Sequence, residues 1–288
     1  FGVSTEAAKT LNSELTSIDN REGPQVLREI AIEAGRLDVP ADQVRDYTEA
    51  VGQAAVAMKS DFPEGASVLT QDLTQIKNLY AETKAMDYPE SVYKIGSAMK
   101  SLADTGTATA KFQSDFLKRM GQLPETVRPG VSSLMGYAAV LEEAGLTSEI
   151  ASSGLSALLI VSGKNSAGFA KLFGMQKKEF EDWKNAKPAE FINALSEKMS
   201  KMSGTQAAQT LAALKVESQE AFKVLGTLGN NLDKVTVKQE QASKAFGEGT
   251  RLTEIFTEKN ENLAGKLERA GNKLATWFNN STFASLLG

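Results

Sequence analysis

Apolar residues along this chain recur in steps of three and four, and that spacing decides what it can fold into. Val44, Tyr47, Val51, Ala54 and Met58 step 3, 4, 3, 4; Leu69, Leu73, Ile76 and Tyr80 step 4, 3, 4; Val92, Ile95, Met99 and Leu102 step 3, 4, 3. Each series draws an apolar stripe along one face of a helix. Val131, Leu134, Ala138 and Leu141 repeat the spacing, and no run alternates at period two for long enough to make a half-buried strand. The expectation is an all-α protein, an array or bundle of short helical hairpins followed by longer C-terminal helices.

The breaks between stripes carry turn chemistry. Residues 27–58 read LREIAIEAGRLDVPADQVRDYTEAVGQAAVAM, two apolar helical patterns around a short interruption. Gly35 followed by Pro40 predicts a helix that ends on a glycine and a second that starts on a proline, because Gly tolerates left-handed φ and Pro lacks only an N–H that a first turn does not use. The segment therefore reads as an αα-hairpin whose stripes bury against each other or against neighbours. Pro63, Pro89, Pro124, Pro129 and Pro188 punctuate in the same way, and Thr147 is placed to N-cap the helix of SEIASSGLSALLIV.

Beyond Pro188 there is no proline, and apolar residues recur over longer distances: Leu211, Leu214, Phe222, Leu225, Leu228 and Leu232, then Leu263, Leu267, Ala270, Leu274 and Trp277. The last set steps 4, 3, 4, 3, the heptad spacing of a bundle arm or short coiled coil. Gly265 and Gly271 weaken that helix by about 1 kcal/mol each against Ala. A boundary at MSGTQ divides the chain into a helical-hairpin domain, residues 1–203, and a second domain of longer helices, residues 204–288.

Composition excludes most chemistry. With no His and no Cys, the chain lacks the commonest general base, the thiolate nucleophile and the usual zinc ligands. A net charge of -4 argues against a dedicated duplex nucleic-acid binder, whose affinity comes mostly from neutralising phosphates. The 41% hydrophobic and 24% charged fractions are ordinary for a folded globular chain. The longest apolar stretch, GLSALLIVSG at 154–163, is far shorter than the ~20 residues that cross a bilayer. Phe1 in place of Met suggests an excised or processed piece of a longer protein.

The remaining candidate site residues read better as structure. Glu142 with Glu143, and Glu179 with Glu181 and Asp182, lie on different faces of helices and read as solvated surface, not as acid/base dyads. SGKNSAGFAKLFG and GEGT lack the spacing of a phosphate loop and follow no strand, so each reads as a helix-joining turn. Between 164 and 201 eight Lys face five acidic residues with Phe169, Phe173, Phe180, Trp183 and Phe191 interleaved. Single-strand binders combine such features, but the i, i+4 placement of Phe169 and Phe173 favours an apolar core with a charged outer face. The C-terminal KLATWFNNSTFASLLG, with Trp277, Phe278, Phe283, Leu286 and Leu287, reads as a helix packed on the body or on a partner in preference to an interfacial membrane anchor. No catalytic, cofactor-binding or metal-ligating residue is expected, and no cofactor.

One resemblance is more specific. The 27–58 hairpin resembles the N-terminal conserved region of phage tail tape-measure proteins, with its R-x-I-A helix, glycine-containing turn and T-E-A-V helix ending in small residues. SVYKIGSAMKSLADTGTATAKFQSDFLKRMGQL and VSSLMGYAAVLEEAGLTSEIASSGLSALLIVSGKN resemble that family's following segments in the same order, so the likeness covers about residues 25–200. Two departures stand out: Asp38 occupies a place where a second glycine is expected, and the TGTATA loop is threonine-rich where Ser and Ala are expected.

The resemblance implies a non-enzymatic structural protein of a phage or prophage virion. Such a protein lies in the tail lumen, after assembly in the bacterial cytoplasm, scaffolds the tail tube, sets its length and takes part in DNA delivery. Its implied partners are tail-tube and tail-tip proteins and tail assembly chaperones. Self-association is possible, no specific nucleic acid is expected, and membrane contact is possible only at the C-terminal end. The alternative is a membrane-active or surface-exposed helical interaction protein without catalysis. A non-catalytic domain of a large enzyme is a third reading. Stretched as one helix the chain would measure about 430 Å, but its seven prolines forbid such a rod up to residue 188.

Overall fold

The structure is a computed structural model that describes residues 5–286, with the side chains of residues 5, 263 and 277–286 outside that description. Its described residues form 17 α-helices, one short 3-10 turn and no strand. The all-α expectation is met, and the physical reason is visible in the stripes. Val44, Tyr47, Val51, Ala54 and Met58 are all buried, as are Leu69, Leu73, Ile76 and Tyr80, and Val92, Ile95, Met99 and Leu102.

After α1 (Thr5–Ser17), the chain runs outward through α2 (Gly23–Arg36), α3 (Val44–Ala57), α4 (Ala66–Leu79), the single turn α5 (Ala81–Lys84), α6 (Tyr88–Asp104) and α7 (Ala110–Met120). It continues through α8 (Val131–Glu143), α9 (Ser148–Lys164), α10 (Ser166–Phe173), α11 (Lys177–Ala186) and α12 (Pro188–Ser200). It then turns back through α13 (Gly204–Ala213), α14 (Gln219–Gly229), α15 (Leu232–Glu248), α16 (Arg251–Glu261) and α17 (Leu263–Leu286). The returning helices meet the outgoing ones in reverse order. Helix α14 packs on α9 and α12, α15 on α8 and α6, α16 on α6 and α3, and α17 on α2.

One hydrophobic core therefore runs from Leu15 to Ile255. The sequence boundary falls at the turn between α12 and α13, and the helices on its two sides share that core. Nor are the later helices uniformly longer. They measure 10, 11, 17, 11 and 24 residues, against 17 for α6 and α9. Lack of proline did not mean lack of breaks, because Asn230 ends α14 and Gly249, at φ 67, ends α15.

The first hairpin forms as expected, with α2 and α3 in contact, but its turn is built differently. Gly35 lies inside the last turn of α2, and Pro40 sits four residues before α3, in a separate turn closed by Gln43 N–H donating to the Pro40 carbonyl at 2.9 Å. The left-handed position is Asp38, at φ 56. Val39 N–H returns to the Ala34 carbonyl at 3.0 Å and Asp38 N–H to that of Gly35 at 3.4 Å, the paired bonds of a Schellman stop. The position where a second glycine was expected thus has the backbone of a glycine position, with an aspartate in it. The Thr147 cap is present, its hydroxyl accepting from Ile150 N–H at 3.3 Å.

Candidate interaction surfaces

The acidic residues singled out by sequence are each occupied with structure. Glu142 accepts from Thr109 N–H at 2.7 Å and from its hydroxyl at 2.9 Å. Burial pushes its carboxyl above the ordinary value, and the Thr109 bonds pull the other way. Glu143 pairs with Lys238 of α15 at 3.0 Å, both side chains over nine-tenths buried. Glu179 closes a capping box at the start of α11, Glu181 accepts from the Ser166 hydroxyl at 2.6 Å, and Asp182 pairs with Lys178 at 3.1 Å. Burial of Glu143 corrects the solvated-surface expectation at that residue, since α15 returns over it.

The loop between α6 and α7 gives the threonine-rich departure a physical role. Thr109 N-caps α7, accepting from Phe112 N–H at 3.1 Å, while its own N–H and hydroxyl hold Glu142. The Thr105 hydroxyl takes bonds from Lys238 Nζ at 3.3 Å and Gln241 Nε2 at 2.9 Å. Serine or alanine at these places would lose a methyl or the bonds. The loop is the polar junction at which α6, α8 and α15 meet.

The aromatic, lysine-rich stretch closes on itself. Phe169, Phe180 and Phe191 are buried, Phe173 and Trp183 half-buried, and their rings meet in stacked and edge-to-face pairs 5.3–6.1 Å apart. Most of the surface on which a base would stack is therefore taken up within the cluster. Lys77 is also turned inward, over the Tyr88 ring at 4.4 Å and toward the Lys84 carbonyl at 3.2 Å, and burial lowers its pKa. SGKNSAGFAKLFG is not only a joining turn: it spans the end of α9, a break at Asn165, the whole of α10 and its left-handed stop at Gly174, while GEGT ends α15 and leads into α16. Among the described residues no cluster of three or more acidic side chains is placed to hold a metal ion, and no helix is long and apolar enough to cross a membrane.

Helix α17 is docked by its polar face. Arg21 donates to Glu268 at 2.6 Å, Arg269 pairs with Asp19 and with Glu261 at 3.1 Å, and Asn272 Nδ2 donates to the Arg21 carbonyl at 2.9 Å. The hydrogen bond holds Arg21 above and Glu268 below their ordinary pKa values. The heptad-spaced stripe faces the other way, with Leu267 66% and Leu274 59% exposed and Ala270 exposed between them. The sequence located this stripe but not its orientation, because the ties that set it join residues about 250 apart in the chain. The side chains of Trp277, Phe278, Phe283 and Leu286, and all of Leu287, lie outside the described residues.

Compared with protein-family models, with curated proteins and with solved structures, the chain matches none of them.

Proposed function

We propose that this chain is a folded, non-catalytic segment of a phage tail tape-measure protein. It works by docking to tail-tube and tail-tip proteins during assembly, in the tail lumen and with a role in DNA delivery. The observation that carries the docking role is α17, held to the body by ion pairs while Leu267 and Leu274 face solvent. An amphipathic helix that buries its polar face and exposes its apolar one has a second partner for that face.

The tape-measure part of the reading rests on the ordered resemblance over about residues 25–200. It is consistent that each of its three blocks is a pair of helices about a turn: α2 with α3, α6 with α7, and α8 with α9. A chain that doubles back on itself, as this one does, is not an extended ruler in this form. Electron microscopy of the parent phage with an in-frame deletion of residues 25–200 tests the proposal. Loss of tails is the expected result. Tails shortened by roughly 1.5 Å per deleted residue would make the segment a ruler, and normal tails would overturn the proposal.

The membrane-active alternative draws support from the same helix, where Lys266 and Lys273 accompany the exposed leucines. It requires binding to anionic vesicles through residues 273–287, and a chain that ignores such vesicles removes it.

A further inference from the structure

Between α6 and α16 the surface opens into a groove of about 940 Å³, floored by Tyr93, the stem of Lys94 and the turn at Gly249. Its α16 wall presents Thr253 and Thr257, whose methyl groups keep it apolar. Tyr93 is half-buried, so part of its ring faces the groove while the rest packs on the core. Around this floor stand Glu90, Glu248, Glu254 and Glu258, four carboxylates against the single ammonium of Lys94, on a chain whose total charge is only -4.

That ammonium is already engaged by Glu90 at 3.1 Å. Glu254 shares Arg251 with Asp104, Glu248 has Lys244 no nearer than 4.0 Å, and Glu258 makes no ion pair among the described residues. The rim is thus left with unneutralised negative charge beside exposed carbon. That combination is complementary to an apolar ridge flanked by Lys or Arg.

We propose that this groove docks a cationic amphipathic helix of another protein. A helix fits and a strand does not, because both walls are helices and the described residues offer no sheet edge to extend. The lining stretch from Thr250 to Glu258, the cap and first turns of α16, spans about 12 Å, so two turns of a partner would lie in the groove with apolar residues at i, i+4 and i+7 against Tyr93 and the threonines. Its basic residues would fall over Glu248, Glu254 and Glu258. The proposal is independent of the tail reading, since it concerns a different face from α17 and no tail component enters it.

Fluorescence anisotropy with three labelled peptides of about 15 residues tests it: an amphipathic Leu/Lys helix, the same peptide with Glu for Lys, and a scrambled Leu/Lys sequence. The Leu/Lys helix is expected to bind about tenfold tighter than either control and to weaken as salt rises from low to physiological. Glu248→Lys/Glu258→Lys should weaken it by a similar factor. Thr257→Trp, at an exposed position, should block the groove without changing the circular dichroism of the chain. Absence of binding, equal binding of either control, or full binding to the Thr257→Trp protein would each overturn the proposal.

Discussion

The outgoing helices and the returning ones are joined to the same core by different means. Helices α3, α4, α6 and α8 bury continuous apolar stripes, and every proline but Pro188 lies in a connection before α8 or in the first turn of α2 or α6. Helices α14 to α16 come back over them with buried apolar residues of their own, Val224, Leu225, Leu228, Leu252 and Ile255 among them, and add close contacts at small residues and polar ties. A Cβ on Gly154 of α9 would lie 2.4 Å from the Glu220 carbonyl oxygen at the start of α14, and one on Gly136 of α8 would lie 2.8 Å from the backbone nitrogen of Gln239 in α15. Polar bonds then fix the register: Asn193 to Gln239 at 3.1 Å, Gln241 to the Ser101 carbonyl at 2.7 Å, and Leu252 N–H to the Ser97 hydroxyl at 3.0 Å. The outgoing path is secured by area removed from water, which is forgiving in detail. The returning path depends in addition on individual atoms, so single substitutions at those contacts should cost more for their size.

The largest effect should come from the buried pair of α8 and α15. Lys238→Met leaves the Glu143 carboxylate buried with only the exposed Lys234, 3.4 Å away, and should cost about 3 kcal/mol in urea unfolding. Adding Glu143→Met should restore most of that, because the penalty lies in the stranded charge. A single variant as stable as the parent would mean that α15 is held without this pair.

Next come the glycines at which helices touch. Gly154→Ala should lose about 1–3 kcal/mol, since the obstruction is main chain and cannot rotate away. Gly226→Ala, in α14 with nothing within 4 Å of the new methyl, should gain about 1 kcal/mol from helix propensity alone. Equal effects at the two positions would remove the close approach from the account of how the return path packs.

Alkali should separate the two paths by pH. Tyr47, Tyr80 and Tyr137 all lie on the outgoing path and are fully buried, and residues 204–286 contain no tyrosine. Burial pushes all three hydroxyls up, against a hydrogen bond with Thr74 for Tyr47 and the Arg128 charge beside Tyr80, and it pushes Tyr93 to about 12. A phenol whose folded pKa is raised contributes full stability below its ordinary value near 10. It loses that contribution as pH rises further, by up to about 1.4 kcal/mol per pH unit for each tyrosine. Ultraviolet titration with amide exchange read along the chain should show α3, α4 and α8 opening first. Earlier opening of α14 to α16 would contradict this ordering.

The contrast also explains what could be read from sequence. The stripes of α3, α4, α6 and α8 announced themselves because burial of a helix face is a local, periodic property, and every residue named in them is buried. The return path was legible as helices but not as a return. Its evidence is pairwise and distant: Gly154 against Glu220, Glu143 against Lys238, Asp19 against Arg269. At the candidate interface the heptad of Leu267, Ala270 and Leu274 was visible, while its outward orientation followed from Arg21 and Asp19, which nothing near it in sequence marks. The acidic groove was missed for the same reason, since its two walls are separated by about 160 residues.

The smallest effects should come from two turns, one on each path. Asp38 ends α2 and Lys215 follows α13, both exposed and both in the left-handed region, at φ 56 and φ 63. Lys215 N–H returns to the Ala212 carbonyl at 3.0 Å and Val216 N–H to that of Leu211 at 2.9 Å, the same stop that Asp38 makes. A side chain in this region costs roughly 1–2 kcal/mol, and a glycine there gives back part of the gain through its freer unfolded chain. Aspartate tolerates the conformation better than lysine. Lys215→Gly should therefore stabilise by about 1 kcal/mol and Asp38→Gly by about half that, each read as a shift in the urea midpoint at unchanged slope. Among the described residues neither side chain makes a hydrogen bond whose loss would mask the result. A gain at both sites would show that turns on the two paths obey one local rule, and that the paths differ only in how their helices meet. A loss at Lys215 alone would mean that its side chain helps to hold the return path where the chain reverses.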